Sequence, residues 1–502
     1  MNSLFAKITT VALSVIGLFS LTGCNKKQAD KVVEKGSVIQ EGLTVNPRSV
    51  VGYVGDVMPF YDNGEMNIFY LQDGRNTNRG FHPFALMTTK DYVHYKDYGE
   101  VIPFDDQYID SVDWALGTGS IIKDEKGIYH AFYTGHNSNK NSGLKYKECI
   151  RHATSTDKIT WVKSEEKLYG SSNDFRDPYV YYDKVEKTYN ILITTNMFGR
   201  GIIVKYSSDS LDTPIDKWVN KGTFFANDAG TYNMECPTFI EYNGYYYLSF
   251  SEQGNHRVTH YRYKKNLTDE WKKPAIDYLD DEGFYAARLE KDDKDLYAFG
   301  WCGTKEGEFD LGEFNWAGNL VCHKLIQKNN GELYPVMIDS YKETFKTEVS
   351  YKLNNGNELS SMVFSGDKQN AYMVEKLSKN ITRLNYKIKL NSLNGSCGIS
   401  FNTQKDNELS NLVLELNFKD LAINFYNKAN DFNNLGSKQL NIPCSFRTNS
   451  IIDVDILIDG EILTIYLNDR AMATRMYDMP LNNFSFYGNN ADFTIEEMKF
   501  YE

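Results

Sequence analysis

Glu235-Cys236-Pro237-Thr238-Phe239-Ile240-Glu241-Tyr242-Asn243-Gly244-Tyr245-Tyr246-Tyr247-Leu248-Ser249-Phe250 reads as a strand, a two-residue turn and a second, aromatic strand. Asn-Gly tolerates positive φ at both central turn positions, so between two apolar runs it closes a β-hairpin. Working outward, the same unit is met four more times. It precedes as residues 54–60 with a turn at 62–64 and a strand at 66–71, as 117–122 before 128–133, and as 176–181 before 189–193. It follows once, as 284–289 before 296–301. Short apolar segments at 84–87, 152–154, 202–204 and 258–261 extend the copies, several running into a Ser/Thr-x-Asp turn and an aromatic residue. A unit of roughly 50 to 63 residues holds four strands, the size of a propeller blade. The expectation is an all-β chain whose residues 42–342 form a five-bladed β-propeller. A plainer arrangement of unrelated hairpins in a sandwich or barrel is the alternative.

The remaining residues, 343–502, alternate differently, as in Leu412-Val413-Leu414-Glu415-Leu416, and close a hairpin at Asp459-Gly460. A C-terminal β-sandwich fits them. At the other end, Lys7 and the apolar run 8–21 read as an export signal too short to span a membrane stably. The run closes on Leu21-Thr22-Gly23-Cys24, which resembles a bacterial lipobox and marks Cys24 for lipidation. Residues 1–24 are therefore expected to be a lipoprotein signal peptide and the polar stretch 25–41 a flexible tether, with the mature protein outside the cytoplasm on a membrane lipid anchor. Net charge is −12, and an acidic surface repels phosphate backbones, so nucleic acid is not expected as a partner. With 36 Tyr and 29 Phe against 11 Pro, the composition favours strands and offers ring faces to sugars. No C-x-x-C pair or H-E-x-x-H motif is present, so neither a metal site nor a cofactor is expected, and cysteine spacing selects no disulfide pairing.

Three acids recur at one place in the repeat, each beginning the first strand of its unit: Asp56, Asp177 and Glu235. In a propeller that strand lines the central channel, so the three carboxylates are expected to meet in one funnel. Glycoside cleavage needs an acid to protonate the leaving oxygen and a second carboxylate across the anomeric carbon. Asp56 is the candidate nucleophile and Glu235 the candidate acid/base, its proton held by neighbouring negative charge. Asp177 is the candidate for hydroxyl contacts that tighten in the transition state, with Arg176 beside it to keep it charged. Cys236 lacks an accompanying His and reads as a buried neighbour of the site rather than a nucleophile.

These residues resemble glycoside hydrolase family 32, the β-fructosidases. Arg176-Asp177-Pro178 and Glu235-Cys236-Pro237 match that family's Arg-Asp-Pro and Glu-Cys-Pro motifs, and Gly117-Thr118-Gly119-Ser120 resembles its Phe-Ser-Gly-Ser segment. Phe284-Tyr285-Ala286 and 316–320 resemble its last-blade segments. Gly55-Asp56-Val57 departs from the family's usual Asn-Asp-Pro, and Gln72 lies one residue from the usual Gln. The resemblance implies a retaining hydrolase that releases fructose from sucrose, levan or inulin-type substrates, with substrate contacts from Arg176, Gln72, Thr118 and Cys236. Two other readings remain: an inverting five-bladed hydrolase of the arabinan- and xylan-cleaving kind, and a non-catalytic surface lipoprotein that binds glycans.

Overall fold

A computed structural model describes residues 36–75, 82–228, 232–254, 256–353, 362–375, 381–401, 409, 411–477 and 483–502. The signal segment, Cys24 and most of the tether lie outside the described residues. The last residues assigned to the tether do not hang free. Gln40–Leu43 forms an edge strand on His94–Ile102, and the Ile39 N–H donates to the Asp97 carbonyl at 2.7 Å. An unpaired strand edge is satisfied by the incoming chain.

The chain is all-β and begins as successive antiparallel modules. The first runs Tyr53–Asp62, Glu65–Asp73, Phe84–Thr89 and His94–Ile102. The second runs Ala115–Lys123, Tyr129–His136, Glu148–Ser155 and Val162–Lys163. The third runs Phe175–Asp183, Thr188–Met197, Arg200–Ser208 and Val219–Ala226. The next holds Glu235–Tyr242, Tyr245–Ser251 and Thr259–Lys264. The last holds Tyr285–Lys291, Leu296–Lys305, Phe314–Gln327 and Leu333–Val336. The Asn-Gly turns behave as their chemistry requires, with φ of 53° and 76° at Asn63-Gly64 and 46° and 78° at Asn243-Gly244. The first strand of each module packs beside that of the next, and Tyr285–Lys291 returns to pack beside Tyr53–Asp62. A single Gly318–Val54 pair joins the last and first modules into one sheet.

Every first strand breaks register at the same point. One extra residue is inserted between Gly55 and Val57, Gly117 and Gly119, Arg176 and Tyr179, Glu235 and Thr238, and Tyr285 and Arg288. At three of these bulges a residue with a side chain takes positive φ: Asp177 at 59°, Cys236 at 52° and Ala286 at 51°. Successive strand residues normally face opposite sides, and a bulge turns two neighbours toward one side. This corrects the expected phase. Asp56, Thr118, Asp177, Cys236 and Ala286 are equivalent, whereas Glu235 precedes its bulge and is equivalent to Arg176 and Tyr285.

The C-terminal region stacks two sheets. One is ordered 348–349, 493–501, 381–390, 451–459, 462–467 and 470–475, and the other 369–375, 483–489, 396–401, 411–417, 422–429 and 437–443. Leu384, Tyr386 and Ile388 meet Ile399, Leu414, Phe425 and Phe486 in a shared apolar core. The helix Asp339–Thr344 straddles the expected boundary at 342, and its Tyr341 buries in the core of the first module.

Candidate active site

The bulges gather their side chains around a cavity of about 310 Å³. Asp56, Asp177 and Glu235 all line it, with Thr118, Arg176 and Tyr285. Asp56 accepts on both oxygens, from Thr118 Oγ1 at 2.7 Å and from Trp301 Nε1 at 3.2 Å. Glu235 likewise accepts on both, from Arg176 Nη2 at 2.8 Å and from the Tyr285 hydroxyl at 2.8 Å, and Asn233 Nδ2 adds a contact at 3.2 Å. Asp177 accepts the Cys236 N–H at 3.1 Å, while its own N–H donates to Thr134 Oγ1 at 2.9 Å. Arg176 is shared among acids: its nitrogens lie 2.8 Å from Glu235, 3.1 Å from Asp174, 3.5 Å from Glu148 and 3.8 Å from Asp177.

Burial pushes the Asp177 carboxyl up to about 7; Arg176 opposes the shift, and the charges of Glu235 and Asp56 add to it. Burial also raises Glu235, against the pull of Arg176 and the Tyr285 hydrogen bond. Such mutual interaction makes the titration a property of the group, which keeps a proton near neutrality. The arrangement has what acid-assisted cleavage requires: a carboxyl able to hold a proton beside carboxylates fixed by hydrogen bonds.

Two expected substrate contacts are not in the cavity wall. Gln72 lies opposite Val54 in the sheet and points its amide to Ser49 Oγ at 3.4 Å; strand alternation gives the cavity Leu71 instead. Cys236 is 2% exposed, its thiol pushed far up by burial, and what it supplies to the site is the backbone N–H that holds Asp177. Sequence reasoning missed Trp301, the hydroxyl role of Tyr285, and the lining residues His82, His136, Glu148, Gln253 and Trp316. The register that turns side chains toward the site is set by the bulges, which the sequence does not mark. Leu71, Thr134 and Trp301 stand opposite the bulges, at Gly55, Gly117 and Tyr285, and so turn toward the site.

Gly55 stands where the resembling family usually carries Asn. A Cβ there would lie 2.3 Å from Trp316 Cη2, so the indole of Trp316 occupies the space a side chain would need.

Carboxylates fixed by hydrogen bonds in one cavity at the bulged first strands of consecutive β-modules, followed by a two-sheet β-region, are the arrangement of a glycoside hydrolase. The chain belongs to glycosyl hydrolases family 32: the model of that family's N-terminal domain matches residues 55–336. A sucrose-6-phosphate hydrolase of Streptococcus mutans is 26% identical over 324 residues, covering 59% of this chain and 65% of that relative. The chain thus matches about 65% of the length of the curated relatives it resembles. A GH32 β-fructofuranosidase of Bombyx mori superposes with a TM-score of 0.68 at 16% identity, covering 92% of this chain and 93% of that one. An exo-inulinase of Aspergillus awamori gives 0.70 at 12% identity, covering 94% and 99%. The fold is that of these enzymes, a β-propeller with a β-sandwich.

Proposed function

We propose that the modules are the blades of a five-bladed propeller and that the protein is a retaining β-fructofuranosidase. The observation that carries the reading is the division of labour at Glu235 and Asp56. Glu235 is buried between Arg176 and Tyr285 and inclined to hold a proton, while Asp56 is fixed by Thr118 and Trp301 in the same cavity. In this mechanism Asp56 attacks the anomeric carbon as Glu235 protonates the departing oxygen. Water then displaces Asp56 from the fructosyl-enzyme, with Glu235 taking its proton back. Asp177 holds sugar hydroxyls as positive charge develops on the ring.

The substrate is an unphosphorylated fructoside of the sucrose, levan or inulin type. In support, Arg176 is the only Lys or Arg among the described residues lining the cavity, and four acids already engage it. The match to sucrose-6-phosphate hydrolases makes the 6-phosphate the essential competitor in any assay. Export through the segment ending at Cys24 places the reaction outside the cytoplasm on a lipid anchor; Cys24→Ala is expected to change membrane fractionation, and an unchanged distribution rejects the anchor.

Proton NMR of the first-formed fructose, before mutarotation, tests the mechanism. Retention is expected, and an inverted product rejects Asp56 as nucleophile. Asp56→Ala is expected to lower kcat by ~10⁴-fold or more. Glu235→Ala spares fructosyl fluoride, whose leaving group needs little protonation, far better than sucrose. Higher kcat/KM on sucrose 6-phosphate than on any free fructoside rejects the substrate class.

A further inference from the structure

We propose that Arg257 is a positioning residue that sets the hydrogen bonds of both reacting carboxylates through the two aromatic side chains that donate them. The proposal rests on the reading of Asp56 and Glu235 as the reacting pair. The Arg257 guanidinium lies 4.3 Å from the centroid of the Tyr285 ring and 4.9 Å from that of Trp301. Those rings pack edge to face at 5.6 Å. Each then donates to a different carboxylate: the Tyr285 hydroxyl to Glu235 Oε2 at 2.8 Å and Trp301 Nε1 to Asp56 Oδ1 at 3.2 Å. One cation therefore touches the supports of both acids while touching neither acid.

The guanidinium is itself held. Arg257 Nη1 donates to the Phe314 carbonyl at 3.1 Å, while the residue's backbone N–H reaches Glu282 Oε1 at 3.4 Å and anchors the main chain rather than the guanidinium. Its neighbour His256 bonds Asp281 at 2.8 Å, and the other Asp281 oxygen accepts the N–H of Asn441 from the C-terminal sandwich at 2.6 Å. The same loop brings Gln253 to the cavity wall. A planar cation over an aromatic face is attracted by the ring quadrupole, more strongly where water is excluded, and it restricts the tilt of the ring. It also draws charge from the phenol and sharpens Tyr285 as a donor to Glu235. Without the cation, Glu235 binds its proton more tightly.

The test compares Arg257→Met, which keeps the apolar stem, with Arg257→Lys, which keeps the charge. Arg257→Met is expected to lower kcat ten- to a hundredfold with KM changed less than threefold, and to move the alkaline limb of the kcat/KM profile to higher pH. Arg257→Lys is expected to recover part of kcat and the parental limb. In a Tyr285→Phe, Trp301→Phe background, Arg257→Met is expected to cost less than threefold, since its route to the acids is gone. A readout independent of turnover is the Trp301 indole N–H in ¹⁵N-tryptophan NMR, assigned with Trp301→Phe: it should shift in Arg257→Met and return toward the parent in Arg257→Lys. A kcat within twofold of the parent, a full loss in the background that lacks both donors, or an unmoved indole resonance each overturns the proposal. Should Asp56→Ala and Glu235→Ala retain parental turnover while the indole still moves, the assignment of the reacting pair fails and the placement of the rings by Arg257 stands.

Discussion

At the scale of single residues, the cavity is defined as much by what Gly55 lacks as by what its neighbours carry. Trp316 packs against His82 at 4.3 Å and edge-on to Trp301 at 6.2 Å, so its ring cannot withdraw without disturbing the donor of Asp56. Gly55→Ala is therefore expected to push the indole and lower kcat/KM by ~10-fold or more, the scale on which small misplacements act in catalysis. The same change made in a Trp316→Ala background should add little, because the clash has no partner; steady-state kinetics of the four proteins checks this. Asp177 supplies a second case. Its folded pKa, up to about 7, exceeds that of a free Asp near 3.9, so the fold binds the proton more tightly than the unfolded chain does. The associated stability is complete below pH ~4 and is lost as pH rises toward 7. Asp177→Asn, neutral throughout, should gain Tm over the parent increasingly from pH 4 to pH 8 while losing most turnover, and thermal melts across that range measure it.

At the scale of elements, hairpins were legible and bulges were not. Asn63-Gly64 and Asn243-Gly244 announce their turns, and the Ser/Thr-x-Asp corners do as read: Asp91 accepts the N–H groups of Val93 and His94, and Asp157 those of Ile159 and Thr160. The inserted residue of each first strand leaves no compositional mark, since Asp, Thr, Cys and Ala all occupy it. That is why Glu235 stands one position out of the expected phase; Gln72, expected from the family resemblance, faces away through simple strand alternation, which gives that side to Leu71. Trp301 and Tyr285 became visible as donors only once register was fixed. The second module carries its own pH response. His130 Nδ1 and His152 Nε2 lie 3.0 Å apart, His152 stacks on Phe132 at 4.6 Å, and burial pushes His152 down to about 3 and lowers His130 as well. His152 stays neutral in the fold while the unfolded chain takes up a proton near pH 6.5, so its contribution is present above that pH and drains as pH falls, and the lowered His130 adds in the same direction. His152→Leu carries a fixed cost from the broken hydrogen bond but no longer titrates. Its Tm deficit relative to the parent should therefore shrink steadily between pH 7 and pH 4.

At the scale of the whole molecule, the sandwich is joined to the modules by buried polar contacts rather than by a flexible hinge. Asp459 accepts Thr44 Oγ1 and the N–H groups of Val45 and Asn46 at 2.9, 3.1 and 3.0 Å. Arg475 reaches back to the Gly303 carbonyl at 2.9 Å. The deepest of these joints is Asp280, 1% exposed, which lies between His323 Nε2 at 3.0 Å and the Ala473 N–H at 3.0 Å, with His323 Nδ1 on the Tyr466 hydroxyl at 2.9 Å. Gly283 approaches so closely that a Cβ would stand 1.8 Å from the Ala473 carbonyl oxygen. Nothing at this joint can exchange its partner for water, so removing one member leaves the others buried and unpaired. Asp280→Ala is expected to cost ~1–3 kcal/mol for each buried partner it leaves unpaired, the His323 ring nitrogen and the Ala473 N–H. Because the loss falls on the joint and not within either core, it should also weaken the coupling between the regions. Calorimetry of the parent should give one transition, and the variant should give two, the earlier one belonging to whichever region depends more on the joint. A variant that melts in one step at the parental temperature would mean that the apolar contacts around Leu457, Tyr466 and Ala471, which pack into the core of the first module, hold the regions together without Asp280.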